Sequence, residues 1–369
     1  MQQCEPMSAP CFSVYQCSPS LRWIMKKMPN NKGLKILYVG NKLTRYGFTP
    51  GVIETLGPLL EKEGYRVSYV GTLKNQLPRL FEILWSTATT GRKVDYILID
   101  TYSTSAFWYA YLTGRLAKLT GINYIPILHG GDLPKRLERS RRVCDKLFNN
   151  SYANVAVSGY LRHEFEKAGY KTMTIPNSID ISKYPFRLRE QPRPKLLWVR
   201  SFHQQYNPLM AADVLEGLLH SHPDAELCMV GPDKDGSMEE FRDSIRVKGI
   251  EDHIRITGKL SKEEWISLSE NYDFFINTTN IDNTPVSVIE AMALGMIVVS
   301  TDVGGMSYLV AKDEEALLVN IADSTSMLNV ISDLIANPFI IPSLSSSARR
   351  KAESFDSKSV LMHWRKLLI

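Results

Sequence analysis

Long apolar runs are missing from this chain of 369 residues. The roughly eighteen consecutive apolar residues that a bilayer-spanning helix needs occur nowhere, so no transmembrane helix is expected. Cysteine is scarce. Cys4, Cys11, Cys17, Cys144 and Cys228 make no CxxC pair and no even-numbered framework, which excludes a disulfide-stapled secreted domain and fits a reducing cytoplasm. Cys4, Cys11 and Cys17 have no fourth ligand nearby, so no zinc site is expected. The GxGxxG fingerprint is absent. Gly40–Gly51 carries glycines at other spacings, which argues against a nicotinamide dinucleotide. Internal repeats, low-complexity tracts and nucleic-acid-binding motifs are also lacking, so no nucleic acid partner is expected. Residues 1–30 show no basic start, long apolar core or cleavage site of a signal peptide. They read as a disordered leader, or as lying upstream of a true start at Met25 or Met28.

What is present is globular. A hydrophobic share of 44% with 22% charged residues permits packed cores, and the length suits two α/β domains better than one. Apolar runs alternate with amphipathic stretches. Leu34–Val39, Val67–Val70, Tyr96–Asp100 and Tyr124–Leu128 read as strands. Val52–Glu63, Leu77–Thr87 and Ala106–Thr120 read as the helices between them. That alternation predicts a parallel, doubly wound sheet. A Pro- and charge-rich linker, Tyr184–Lys195, precedes a second series that starts at Leu196–Val199. The expected division is a first domain over residues 31–190, a second over 191–345, and a C-terminal helical segment over 346–369. Charge divides the same way. Residues 1–195 hold 29 Lys and Arg against 14 Asp and Glu, a net of +15, and the remainder nets −10. A basic half joined to an acidic half points to an anionic surface as partner, and anionic lipid fits better than nucleic acid.

The most informative stretch is Asp273–Leu309. An apolar strand, Phe274–Ile276, leads into a polar loop. Pro285 opens a helix, Gly295 ends it, Ile297–Ser300 forms a second strand and Gly304-Gly305 a turn. Proline suits a helix start because its missing N–H would have no partner there. In parallel sheets ligands gather at the carboxyl ends of strands, and a helix start offers free N–H groups to an anion. Asp282 and Glu290 bracket loop and helix with seven residues between. One reading is a helix-stabilising Asp282 and a surface Glu290. The other starts from Glu290's apolar neighbours Ile289, Ala291 and Met292: a carboxylate there needs partners, and ribose hydroxyls would serve.

Asp282, Glu290, the run AMALG at 291–295, IVVST at 297–301 and Gly304-Gly305 together resemble the donor-sugar signature of the family 4 glycosyltransferases. These are retaining enzymes of the GT-B fold. The resemblance covers about residues 34–369. It implies two Rossmann-like, doubly wound α/β domains facing across a cleft, with a last helix crossing back to the first domain. Asp282 stands where the family has Glu, and Asn283-Thr284-Pro285 replaces a glycine-rich loop. Ile175-Pro176-Asn177-Ser178-Ile179-Asp180 is similar to a family turn, with Ser178 in place of Gly. Arg200 matches a family arginine at a strand end, but Gln205 stands where a second diphosphate-clamping lysine is usual; Lys259 and Arg45 are candidates for the missing charge.

His129 ends Tyr124–Leu128, ahead of Gly130-Gly131. It is either satisfied by local backbone or, as the resemblance implies, in contact with the donor sugar. Arg136, Arg139, Arg141, Arg142 and Lys146 are expected on one helix, as a solvated face or a docking surface for phosphate-bearing lipid. The resemblance assigns catalysis to His129, Asp282 and Arg200. It gives donor binding to Glu290, Arg200, Gln205, Gly258, Lys259, Leu260, Thr284, Val286 and Ser287, and the loop with Gly47 and Gly51 to the first domain's wall. It implies transfer of a sugar from a nucleotide-sugar donor to a carbohydrate or lipid-linked acceptor, in surface polysaccharide or glycolipid assembly. No metal or other cofactor is expected. The setting would be cytoplasmic, peripheral on the inner face of the membrane. A nucleotide-sugar epimerase of the same fold and a non-catalytic nucleotide-sugar-binding protein stay open as alternatives.

Overall fold

The computed structural model describes residues 33–48 and 50–369. The expected leader and Cys4, Cys11 and Cys17 lie outside them. The first sheet has strands β1 (Lys35–Val39), β2 (Arg66–Val70), β3 (Tyr96–Thr101), β4 (Asn123–Leu128), β5 (Asn154–Ala156) and β6 (Thr172–Thr174), in the order β2-β1-β3-β4-β5-β6. The second has β7 (Lys195–Val199), β8 (Glu226–Val230), β9 (Ile254–Gly258), β10 (Phe274–Asn277), β11 (Ile297–Thr301) and β12 (Leu317–Val319), in the order β12-β11-β10-β7-β8-β9. Neighbours in both sheets run parallel.

Parallel strands are covered on both faces, so their sequences are continuous apolar runs rather than alternating ones. Ile97, Leu98 and Ile99 of β3 and Phe274, Phe275 and Ile276 of β10 are all buried. Each such side chain contributes about 1.5–3 kcal/mol by leaving water. Strand order reverses between β1 and β3 in the first sheet, and between β7 and β10 in the second. Crevices open at such reversals, at the carboxyl ends of the strands. Asn41 and Asp100 stand at the first, Arg200 and Thr278–Asp282 at the second.

Among the described residues the chain crosses between the domains twice, and the crossings are paired. Ile179 donates its N–H to Phe355 O at 3.0 Å and accepts from Ser357 N at 2.9 Å. Ile179 and Tyr184 pack in the second domain's core, so that domain begins before residue 191. The expected cut at 346 also needs correction, because it falls inside the helix Ile341–Glu353. That helix buries Ile341, Leu344, Ala348 and Ala352 in the second domain. Only the next helix, Ser357–Leu367, returns to the first core, through Val360, Leu361, Trp364 and Leu367.

The basic run is not one helix. Ser140, at φ −137° and ψ 40°, separates Leu133–Arg139 from Arg141–Phe148. Arg136 turns inward, donating through Nη2 to Ser103 O at 2.5 Å beneath the Phe107 ring. Arg141 pairs with Asp145 at 3.1 Å. Among the described residues no single helix is long and apolar enough to cross a membrane.

Candidate functional site

The second domain's wall grows from β7 and β10. Arg200 follows β7, and its side chain is only 17% exposed. Burial pushes its pKa down, opposed by Tyr206 and Glu290. The guanidinium lies over the Tyr206 ring, 4.7 Å from its centroid, and forms an ion pair with Asp282 through Nη2 and Oδ2. The residues expected to face diphosphate and sugar separately therefore face each other here. Gln205 is occupied too. Its Nε2 donates to Ile281 O at 2.8 Å, and its backbone carbonyl accepts from Asn280 N at 2.8 Å. It binds the Arg200 loop to the Asp282 loop and does not stand in for a cation.

Trp198 Nε1 donates to Thr278 Oγ1 at 3.0 Å, and Thr278 Oγ1 donates to Tyr206 O at 2.8 Å. The Gly304-Gly305 turn lies directly beneath: a methyl group on either glycine would collide with the carbonyls of Asp282 or Asn283. Pro285 is the cap of the Val286–Ala293 helix rather than its first residue, and its carbonyl accepts from Val288 N at 3.0 Å. Thr284, Val286 and Ser287 are half-buried at that helix start.

Glu290 is 4% exposed. Its Oε1 accepts from Tyr184 OH at 2.8 Å and from Lys262 Nζ. The partners of this buried carboxylate are thus a phenol and an ammonium group, both overlooked in the sequence because each reaches it from a distant segment. Lys262 is presented by a helix that Ser261 starts, with Ser261 Oγ accepting from Glu264 N at 3.2 Å. Gly258 has φ +71°, and its carbonyl accepts from Gly231 N at 2.8 Å. Lys259 is exposed and Leu260 half-buried.

The first domain supplies the opposite wall. His129 is 5% exposed. Its Nε2 lies 3.1 Å from Asp100 Oδ1, its ring stacks on Tyr102, and its backbone N–H donates to Thr101 O at 2.8 Å. Asp100 also accepts from Tyr38 OH at 3.1 Å, and burial, with Asp100 next, holds the Tyr38 phenol well above its usual pKa. The sequence reading missed Asp100; a carboxylate closing an apolar strand was the available signal. Gly47 and Gly51 belong to a loop that Glu54 pins, accepting from Thr44 Oγ1 at 2.6 Å and Gly51 N at 3.2 Å. Arg45 donates to Thr72 O at 2.7 Å in that wall.

The two walls meet. Ser158 Oγ donates to Asn283 Oδ1. A methyl on Gly131, two residues past His129, would stand 3.6 Å from the Asp282 carbonyl carbon. A cavity of about 190 Å³ lies at this junction, lined by Ser158, Gly159, Thr284, Gly305 and Tyr308 among others. Buried polar atoms without a hydrogen-bond partner gather on both walls: Arg200 Nε, Ser287 Oγ and Asn280 Oδ1 on one, Asp100 Oδ2 and Asn41 Oδ1 on the other. Native proteins leave few such atoms unpaired.

Two family models match in succession. Residues 36–183 match glycosyltransferase family 4, and residues 193–337 match glycosyl transferases group 1. The chain belongs to the group 1, family 4 glycosyltransferases. Within this glycosyltransferase family it is similar to a GDP-mannose:cellobiosyl-diphosphopolyprenol alpha-mannosyltransferase of Xanthomonas campestris, 20% identical over 146 residues. That match takes in 40% of this chain and 38% of the relative's length. The fold is GT-B. Anabaena HepE, solved in complex with UDP, superposes with a TM-score of 0.73 at 17% identity, covering 91% of this chain and 99% of HepE. Sucrose-phosphate synthase from Thermosynechococcus elongatus gives 0.72 at 16% identity, covering 90% and 98%.

Proposed function

We propose that this protein is a retaining glycosyltransferase that moves a sugar from a nucleotide-sugar donor to an acceptor hydroxyl. The observation that carries the reading is the set of unpaired buried polar atoms on both walls at the two strand-order reversals. They would find partners in one elongated ligand with hydroxyl and phosphate groups. Arg200 and the N–H groups opening the Val286–Ala293 helix would hold the diphosphate, whose charge grows as the sugar leaves. Glu290, buttressed by Tyr184 and Lys262, would accept from the ribose hydroxyls. Asp282 would face sugar hydroxyls from one wall and His129 from the other.

In a front-side displacement the bond from the anomeric carbon to phosphate oxygen breaks as the bond to the acceptor oxygen forms. The acceptor proton passes to the departing phosphate. The protein positions the two reactants and stabilises charge. A lipid-linked or carbohydrate acceptor fits the basic first domain. We place the reaction in surface polysaccharide or glycolipid assembly, on the cytoplasmic face of the membrane.

Calorimetric titration of UDP and GDP into wild type and Glu290→Gln tests the reading. The variant keeps shape and loses the charge, so the bound nucleotide should weaken roughly ten- to hundredfold, the effect of a charged hydrogen bond of ~1.5–3 kcal/mol. Equal affinity in the two proteins would remove Glu290 from the site.

A further inference from the structure

The helix Gln76–Thr90 packs Leu80 and Ile83 on the first core and carries a second apolar stripe on its outer face. Its one arginine, Arg79, is 6% exposed and donates through Nη1 to Leu73 O at 3.2 Å. Leu77, Phe81 and Trp85, one turn apart, are 80%, 69% and 62% exposed. A helix of a soluble domain ordinarily turns such a stripe to its core; here Arg79, Ile83 and Thr87 fill that position. Phe81 and Trp85 stack on each other in the open, with centroids 6.2 Å apart. Single exposed apolar residues are common, but an aligned aromatic stripe marks an interaction surface.

The neighbouring helix, Phe107–Thr120, also exposes large apolar side chains, Trp108 at 45% and Leu119 at 78%. Cations frame this face. Lys74 stands before the stripe, Arg92 and Lys93 after it, and Lys118 beside it, all exposed. Acids do not compete: the one carboxylate on Gln76–Thr90, Glu82, accepts from Thr72 N at 3.0 Å and Thr72 Oγ1 at 2.8 Å. Phe107–Thr120 contains none. The stripe also reaches the cleft rim. Leu73 and the loop residues Tyr46 and Phe48 are 37%, 38% and 51% exposed, and Arg45 ties that loop to Thr72.

We propose that this face lies in the interfacial layer of an anionic lipid bilayer, with Leu77, Phe81, Trp85 and Trp108 among the acyl chains and the cations at the headgroups. Aromatic and leucine side chains on one face with basic flanks are what such a helix requires. A second copy fits less well. Antiparallel pairing of the stripes would set Lys74 against Arg92 and Lys93 of the other copy, and parallel pairing would set Lys74 against itself. The proposal rests on the membrane-borne acceptor suggested above and replaces the Arg136–Lys146 cluster as the main contact, since Arg136 and Arg141 are engaged within the fold. It presents the cleft rim to the bilayer, where a lipid-linked acceptor would enter.

Co-sedimentation with phosphatidylcholine vesicles, with and without phosphatidylglycerol, tests it on the full chain. Wild type should bind the phosphatidylglycerol vesicles and be released by salt. Phe81→Ser/Trp85→Ser should bind on the order of a hundredfold more weakly, the effect of losing two apolar insertions. Arg139→Ser/Arg142→Ser/Lys146→Ser should lose less. The substituted side chains are exposed, so unchanged circular dichroism is expected. Three results would overturn the proposal: equal binding by the aromatic variant, no binding by wild type at low salt, or a wild-type dimer that the aromatic variant dissociates. Thermal shift induced by UDP or GDP, measured on the same proteins without lipid, reports the donor site separately. No shift with either nucleotide would sink the transferase reading whatever the vesicles do.

Discussion

Asp282→Asn should tighten nucleoside diphosphate binding while slowing transfer. Arg200 already holds an anion, because Asp282 Oδ2 lies against its Nη2 and both side chains are mostly buried, at 17% and 14% exposure. A diphosphate that takes Arg200 must displace this carboxylate or sit beside it. One unit of like charge at about 5 Å, in an effective dielectric of about 20–40, costs about 2–3 kcal/mol. Removing it should improve affinity roughly thirtyfold to a hundredfold or more. Asparagine keeps the Oδ1 that accepts from Asn283 N at 2.8 Å, so the loop should hold its shape. Turnover should move the other way, since the carboxylate would no longer face the sugar hydroxyls as charge develops. Calorimetry with UDP and GDP reads the first effect and donor hydrolysis the second. Low ionic strength gives the clearest contrast. Unchanged or weaker nucleotide binding would refute the reasoning and move the diphosphate away from Arg200.

Asp100→Asn should lower turnover roughly tenfold or more with little change in nucleotide affinity, because Asp100 orients His129 and lies on the opposite wall from Arg200; an equal loss in both would make its role structural. Gly305→Ala forces the Asp282–Asn283 backbone to move, so it should cost about 1–3 kcal/mol in urea unfolding and lower activity as well. Asp273, 2% exposed, accepts from Arg193 Nε at 2.8 Å and Arg187 Nη2 at 2.6 Å. Burial pushes its pKa up, but these arginines outweigh it and hold the carboxyl below its ordinary value. Its contribution is complete above the unfolded pKa of about 3.9 and is lost as pH falls below that. The wild-type urea midpoint should therefore drop in acid more steeply than that of Asp273→Asn, which should itself be about 3–5 kcal/mol less stable at neutral pH.

The loop and helix from Asp282 to Glu290 were legible because their signal is local: a strand, a polar loop, a helix start and a small-residue turn within one short stretch. The alternation of strands and helices gave the doubly wound sheets for the same reason. What stayed hidden depends on distant segments. Lys262 and Tyr184 reach Glu290 from 28 and 106 residues away, and Asp100 reaches His129 across 29. The basic run from Arg136 to Lys146 suggested one helix, since charges carry no break signal; Ser140 divides it and Phe107 draws Arg136 inward. Leu77, Phe81 and Trp85 have the spacing of a buried stripe, and only packing shows that Arg79, Ile83 and Thr87 took the inner face.

Incubating the protein with a panel of nucleotide sugars, without acceptor, and following nucleoside diphosphate release together with the liberated sugar's anomeric form tests the central claim most directly. The account predicts slow release of one nucleoside diphosphate with the donor's anomeric configuration retained, and loss of that release in Arg200→Ala, whose guanidinium would hold the departing charge. Conversion of the donor to a different nucleotide sugar would contradict it in favour of an epimerase, and donor binding with no release would contradict it in favour of a non-catalytic binder.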